Sequence, residues 1–181
     1  MIHMKTLTQI TILILCSSLS FCQNKKYSSV LVDKADKFAI KKENKPIKIH
    51  FGDTYIETDT IRASLIVNND SLRQIRFTKG KLEKDTLNIL IHSTSPSYDH
   101  TYKIKVIGNK YIVDYQYQMD DGPPMVRKVT PTQYTVKLNS LDFKKGKEIR
   151  GYTEFQGKCS GEGCYGETDI EIKGNFKVLI K

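Results

Sequence analysis

No spacing in this chain belongs to a known catalytic motif. There is no Gly-x-Ser-x-Gly elbow, Walker loop, His-Glu-x-x-His or Cys/His nucleophile context, so the common routes to hydrolysis, phosphoryl transfer and zinc catalysis lack their residues. Helical periodicity is nearly absent, which argues against a helical bundle. No apolar run reaches the roughly 18–20 residues that a membrane-spanning helix requires. Cysteine is scarce: of the 4 in the chain, Cys16 and Cys22 lie near the amino terminus, leaving only Cys159 and Cys164 in the body. The net charge of +9 suits acidic partners in general, but no Arg-aromatic platform or nucleic-acid motif accompanies it. No enzyme activity, cofactor, metal or nucleic-acid partner is expected.

What is present begins with an address. Lys5 is the only formally charged residue of the first 22; Ile10, Ile12, Leu13, Ile14, Leu15 and Cys16 follow, then the small residues Ser17, Ser18 and Ser20 up to Cys22. A charged start, an apolar middle and a small-residue end form the pattern of an export signal. Two processing schemes compete. Leu19-Ser20-Phe21-Cys22 reads as a lipobox that makes Cys22 a lipidated amino terminus, although Phe21 is bulky for its position. Alternatively, Ser20 and Cys22 are the small residues of a simple cleavage site and the mature chain begins at Gln23. An uncleaved anchor is a third scheme. The first two export the protein to the periplasm or beyond, with lipidation tying it to the outer membrane, its only expected membrane contact.

The division expected is a signal peptide over 1–22, a tether or edge element over 23–45 and one β domain over 46–181. Tyr27 to Lys42 fits a helix, an edge strand or a tether equally well. Beyond it, apolar and polar residues alternate with period two. Val106-Ile107, Gly108-Asn109 and Lys110-Tyr111 read as a hairpin with a two-residue primed turn, Gly and Asn supplying positive φ. That turn predicts Ile107 opposite Lys110, Val106 opposite Tyr111, Ile104 opposite Val113 and Tyr102 opposite Tyr115. The last strand places Ile170, Ile172, Phe176, Val178 and Ile180 on one face, and Gly174 predicts a bulge or a close backbone crossing. Glu148 to Phe155 is its partner. Further strands are expected at Pro46 to Phe51, Ile61 to Val67, Gln74 to Thr78, Thr86 to His92, Met125 to Thr130 and Tyr134 to Leu141, with turns at Asn68-Asn69-Asp70, Lys79-Gly80-Lys81 and Lys144-Lys145-Gly146. Many short strands at regular spacing predict an all-β, single-domain antiparallel β-sandwich, with a closed β-barrel as the alternative.

Few residues invite a chemical role. Export places Cys159 and Cys164 in an oxidising compartment, and the short, glycine-rich segment between them predicts a disulfide. His92, Asp99 and His100 could be imagined around a divalent metal, but strand-end histidines are the better reading. The segment from Met119 to Met125 holds two methionines around a tip stiffened by Pro123 and Pro124, and adaptable Met surface on a rigid tip makes Met119, Pro123, Pro124 and Met125 candidate partner contacts.

Leu141-Asp142-Phe143, the run Lys147-Glu148-Ile149-Arg150-Gly151-Tyr152-Thr153-Glu154-Phe155 and the run Ile170-Glu171-Ile172-Lys173-Gly174-Asn175-Phe176 resemble a set of small exported β-rich envelope proteins of Gram-negative bacteria, many of them lipoproteins of unknown function. The resemblance is confined to the C-terminal third. It implies a β-sandwich and carries no activity, cofactor or catalytic residue. The function expected is a non-enzymatic module that binds an as yet unknown macromolecule at the cell envelope or supports the envelope. An inhibitor or immunity-type protein against an acidic target is the alternative, and a small-ligand carrier the second alternative.

Overall fold

The computed structural model describes residues 27–34, 38, 40, 48–51, 54–57, 62–94, 98–119, 125–160, 164 and 168–181. The expected signal peptide, with Cys22, lies outside them. The described residues form β1 (Ser28–Ser29), β2 (Leu31–Val32), β3 (Lys48–Phe51), β4 (Thr54–Glu57), β5 (Ala63–Val67), β6 (Asp70–Ile75), β7 (Phe77–Glu83), β8 (Thr86–Thr94), β9 (Tyr98–Ile107), β10 (Lys110–Met119), β11 (Val126–Leu138), β12 (Glu148–Cys159) and β13 (Thr168–Leu179). The fold is all-β, and each strand of the main sheet from β7 to β13 pairs antiparallel with its sequence neighbour. β3 and β4 form a separate hairpin.

An up-and-down run from β7 to β13 contains an odd number of strands, so its first and last members point the same way. Closing it therefore requires a parallel contact. That contact exists: Gly80 lies opposite Ile180 in parallel, Lys181 N–H donates to Gly80 O at 3.0 Å, and the Thr78 hydroxyl donates to Lys177 O at 2.7 Å. A Cβ at Gly80 would sit 2.6 Å from Val178 Cγ2, so glycine is what lets the two strands approach. One rolled sheet thus supplies both walls of the core and is nearly closed, the barrel form of the expected architecture. The β5–β6 hairpin covers the rest of the same β13 edge, from Ile172 opposite Val67 to Phe176 opposite Ala63. Only Arg76 separates β6 from β7. The expected close crossing at Gly174 is also present: a Cβ there would stand 2.1 Å from Ser64 O of β5.

The hairpin register is the predicted one throughout, from Lys110 opposite Ile107 to Tyr115 opposite Tyr102. Its turn differs in one respect. Gly108 has a φ of 58° while Asn109 is not in the positive-φ region, which is the type II′ form with glycine first. Three other expectations are corrected. Lys79-Gly80-Lys81 is no turn but the middle of β7, because its glycine serves the closure; the turn is Lys84-Asp85, between Glu83 and Thr86. Gln74 to Thr78 is not one strand, since the chain bends at Arg76, whose carbonyl accepts from Arg62 and Ala63 N–H. The strands expected at 125–130 and 134–141 are a single β11, continuous through an irregularity between Pro131 and Gln133 that absorbs the proline.

Between β10 and β11 the wall divides. They pair only from Tyr115–Val129 to Gln118–Val126. Below that level β1 takes the edge of β10, with Ser28 opposite Tyr111, and β2 lies parallel to β11, with Leu31 opposite Lys137. Val30 between them is buried in the core. Tyr111 bridges the divide from inside: its hydroxyl accepts Val136 N–H at 3.0 Å and donates to Tyr134 O at 3.2 Å. Of the three readings of Tyr27 to Lys42, residues 28–32 thus take the strand form.

Inward side chains such as Leu87, Ile104, Ile149, Phe155, Ile172 and Val178 are at most 1% exposed. Each contributes about 1.5–3 kcal/mol of apolar burial. Outward positions of the same strands, such as Lys103, Lys105, Glu154 and Lys158, are polar and exposed. A lipid-facing barrel has the reverse arrangement, and no helix among the described residues is long and apolar enough to cross a membrane.

Candidate functional site

The barrel has unlike ends. The lower end carries the Gly108-Asn109 turn, the β1–β2 segment, the 139–147 connection and the carboxyl terminus; the upper end carries the close of β10, the start of β11 and Cys159. The connections through 95–97, 120–124 and 161–167 leave from the upper end, and the buried polar side chains behind them, His100 and Arg127, make it the candidate site.

Alternation along β9, β10 and β11 sends His100, Tyr115, Tyr117 and Arg127 inward here. His100 Nδ1 lies 2.7 Å from the Tyr115 hydroxyl, and their rings stack at 6.1 Å with 12° between planes. Tyr115 stacks on Tyr117 at 6.0 Å, and the Arg127 guanidinium lies over the Tyr117 ring at 5.8 Å. His100 and Arg127 are both buried. The Tyr117 hydroxyl points at Cys159 Sγ, 3.5 Å away, and Cys159 is bonded to Cys164 as expected.

Deeper in, the cluster continues as packed rings. Phe155 meets Tyr102 edge-on at 5.8 Å, 89°, and Tyr115 at 5.8 Å, 62°. The Tyr102 hydroxyl is 2.7 Å from Thr153 Oγ1, which itself donates to Thr135 O at 3.1 Å. Complete burial holds the Tyr102 phenol protonated far above its ordinary value of 10.0. Burial also raises Tyr111. On the outer wall, partial burial and then the Glu154 carboxylate push Tyr152 up to about 12. The lowered acids have simple partners: Glu83 is paired with Lys81 at 2.6 Å, and Asp142 is held down by its bond to Lys147 at 3.1 Å. These shifts follow from packing and exposed ion pairs, so none marks a proton-transfer group facing a cavity.

The metal alternative does not assemble. His100 faces the interior, Asp99 is exposed on the opposite face of β9, and His92 lies on the outer wall 5.7 Å from Phe77. Among the described residues no group of three or more His, Cys, Asp or Glu could hold a metal ion.

Of the candidate partner contacts, Pro123, Pro124 and the Met119 side chain lie outside the described residues. Met125 does not tuck back onto the sheet: it is 39% exposed, and Val126 beside it is 51% exposed. A groove of about 940 Å³ lies where β10 and β11 part, lined by Ser28, Lys103, Ile112, Asp114, Lys128 and Thr130 among others. Lys103 and Asp114 are cross-strand neighbours on its β9–β10 wall, so their charges offset.

Sequence reasoning passed over the His100–Tyr117–Arg127 stack. Its first half was within reach, since extending the predicted Tyr102–Tyr115 register by two residues sets His100 opposite Tyr117. Arg127 was not, because its place opposite Tyr117 depends on how β11 returns after 120–124. A scan of the chain against family models gave no match, and searches among curated proteins and among solved structures gave none either.

Proposed function

We propose that this is an exported, non-enzymatic module whose upper end binds another macromolecule at the cell envelope. The observation that carries the reading is the adjacent exposed pair Met125 and Val126, at the end that the Cys159–Cys164 bond staples. Adjacent exposed apolar side chains, one of them an adaptable methionine, suit contact with a partner. The ring-on-ring packing of Tyr102, Tyr115 and Phe155 supports action through the surface rather than storage of a ligand inside. The net charge of +9 favours an acidic partner.

The test is affinity purification of the tagged protein from its native envelope, alongside Met125→Ser with Val126→Ser. One stoichiometric partner, retained by the parent and lost by the variant, is expected. A partner captured equally by both removes the upper end from the interface. Mass spectrometry checks the address: a mature chain starting at Gln23 or at lipidated Cys22 is expected, with Cys159 and Cys164 oxidised. An intact chain from the cytosol with both thiols reduced overturns it.

A further inference from the structure

We infer that the lower end of the barrel docks onto an anionic lipid bilayer, so that the upper end points away from the membrane. The residues that carry this are on and beside the amino-terminal segment. Val30 is buried, but Leu31 and Val32 are 51% and 45% exposed, Tyr27 44% and Ile107 37%. Backbone bonds gather them on one arc: Val30 N–H donates to Asn109 O at 2.8 Å, beside Ile107, and Asp33 N–H to Leu138 O at 3.0 Å. Four large apolar side chains exposed together on a small domain exceed ordinary surface scatter.

Cations share this end with them. Lys34, Lys84, Lys110, Lys145 and Lys181 are all exposed at this end. Its side-chain carboxylates are Asp33, Glu83, Asp85, Asp142 and Glu148, and three of them are bonded to further cations of the same end: Glu83 to Lys81 at 2.6 Å, Asp142 to Lys147 at 3.1 Å and Glu148 to Arg150 at 3.0 Å, which leaves the end cationic. Apolar tips and ammonium groups on one end match the two layers of a charged bilayer, headgroups for the lysines and the acyl boundary for Leu31, Val32 and Ile107. The course of the chain selects a membrane over other acidic occupants. In the lipidated form proposed above, on which this inference rests, only Gln23 to Lys26 separate Cys22 from Tyr27, and at about 3.5 Å per residue they keep Tyr27 within about 20 Å of the bilayer that holds Cys22.

The chain has no tryptophan, so single replacements report their own surroundings. Full-length Ile107→Trp and Val126→Trp are mixed with vesicles of phosphatidylcholine and phosphatidylglycerol carrying brominated acyl chains. Emission from Ile107→Trp is expected to fall by at least about half while Val126→Trp is unchanged, as bromine quenches only indoles at the acyl boundary. Lys110→Glu with Lys145→Glu is expected to relieve most of that quenching. Leu31→Trp serves as a second reporter away from the hairpin turn. Equal quenching at both ends, stronger quenching at Val126→Trp, or none at either lower-end reporter overturns the inference, as does quenching indifferent to the charge reversals.

Discussion

At the lower end of the barrel the interior is filled by Val106, Leu138, Ile149 and Ile180, closed over by Val30 from the amino-terminal segment. At the upper end the inward positions of β9, β10 and the start of β11 include His100, Tyr115, Tyr117 and Arg127, beside a disulfide. Aliphatic packing is non-directional, so the lower end needs only matching volume. Stacked rings, a histidine–phenol bond and a guanidinium over a ring are directional, and they hold only one arrangement. The comparison teaches where specificity resides: the lower half closes the fold, and the upper half braces a surface.

The largest effect should come from the ring that joins the halves. Phe155→Ala is expected to cost about 3–5 kcal/mol in urea denaturation, against about 2–5 for Ile149→Ala in the aliphatic half. A Phe155→Ala cost below that of Ile149→Ala would mean that the rings do not brace the barrel. Reducing Cys159–Cys164 is expected to cost about 2 kcal/mol, small because the closed loop is short. Its signature should be regional: faster amide exchange at Lys158 and Asp169, with Ile149 and Val178 unchanged. Uniform acceleration would erase the distinction between the ends.

Tyr111→Phe sharpens the comparison from the other side. It strips Val136 N–H of its acceptor within an otherwise apolar half, at an expected cost of about 1–2 kcal/mol by thermal or urea unfolding. The smallest effect is alkaline. Tyr102 is held protonated by the fold, so its contribution is complete below the ordinary phenol value of 10.0 and is lost as pH rises from there toward the higher folded value. The urea midpoint should therefore fall from about pH 10 upward. Tyr102→Phe, which has nothing to titrate, should lower stability at neutral pH but flatten that decline. An unchanged alkaline slope would show that other tyrosines dominate it.

Much of this architecture was legible in the residues. Alternation identified the inward face of β13, and a glycine turn set the β9–β10 register residue by residue, because both depend only on side-chain period and local φ. The cysteine pair was legible for a similar reason: its partners are close along the chain. The candidate site was legible only in part, with Met125 recognised as adaptable surface and the buried stack behind it passed over.

Where local chemistry allowed two meanings, distant strands chose between them. Gly80 looks like a turn residue, yet β13 arriving from a hundred residues away makes it a point of closure. Ser28 to Val32 could have been helix or tether, but the divide between β10 and β11 offers unsatisfied backbone edges, and pairing with them decides the matter. Pattern and turns are properties of neighbours in sequence, whereas the roll of the sheet, its parallel seam and the company Arg127 keeps are properties of strands that meet only once the chain has folded.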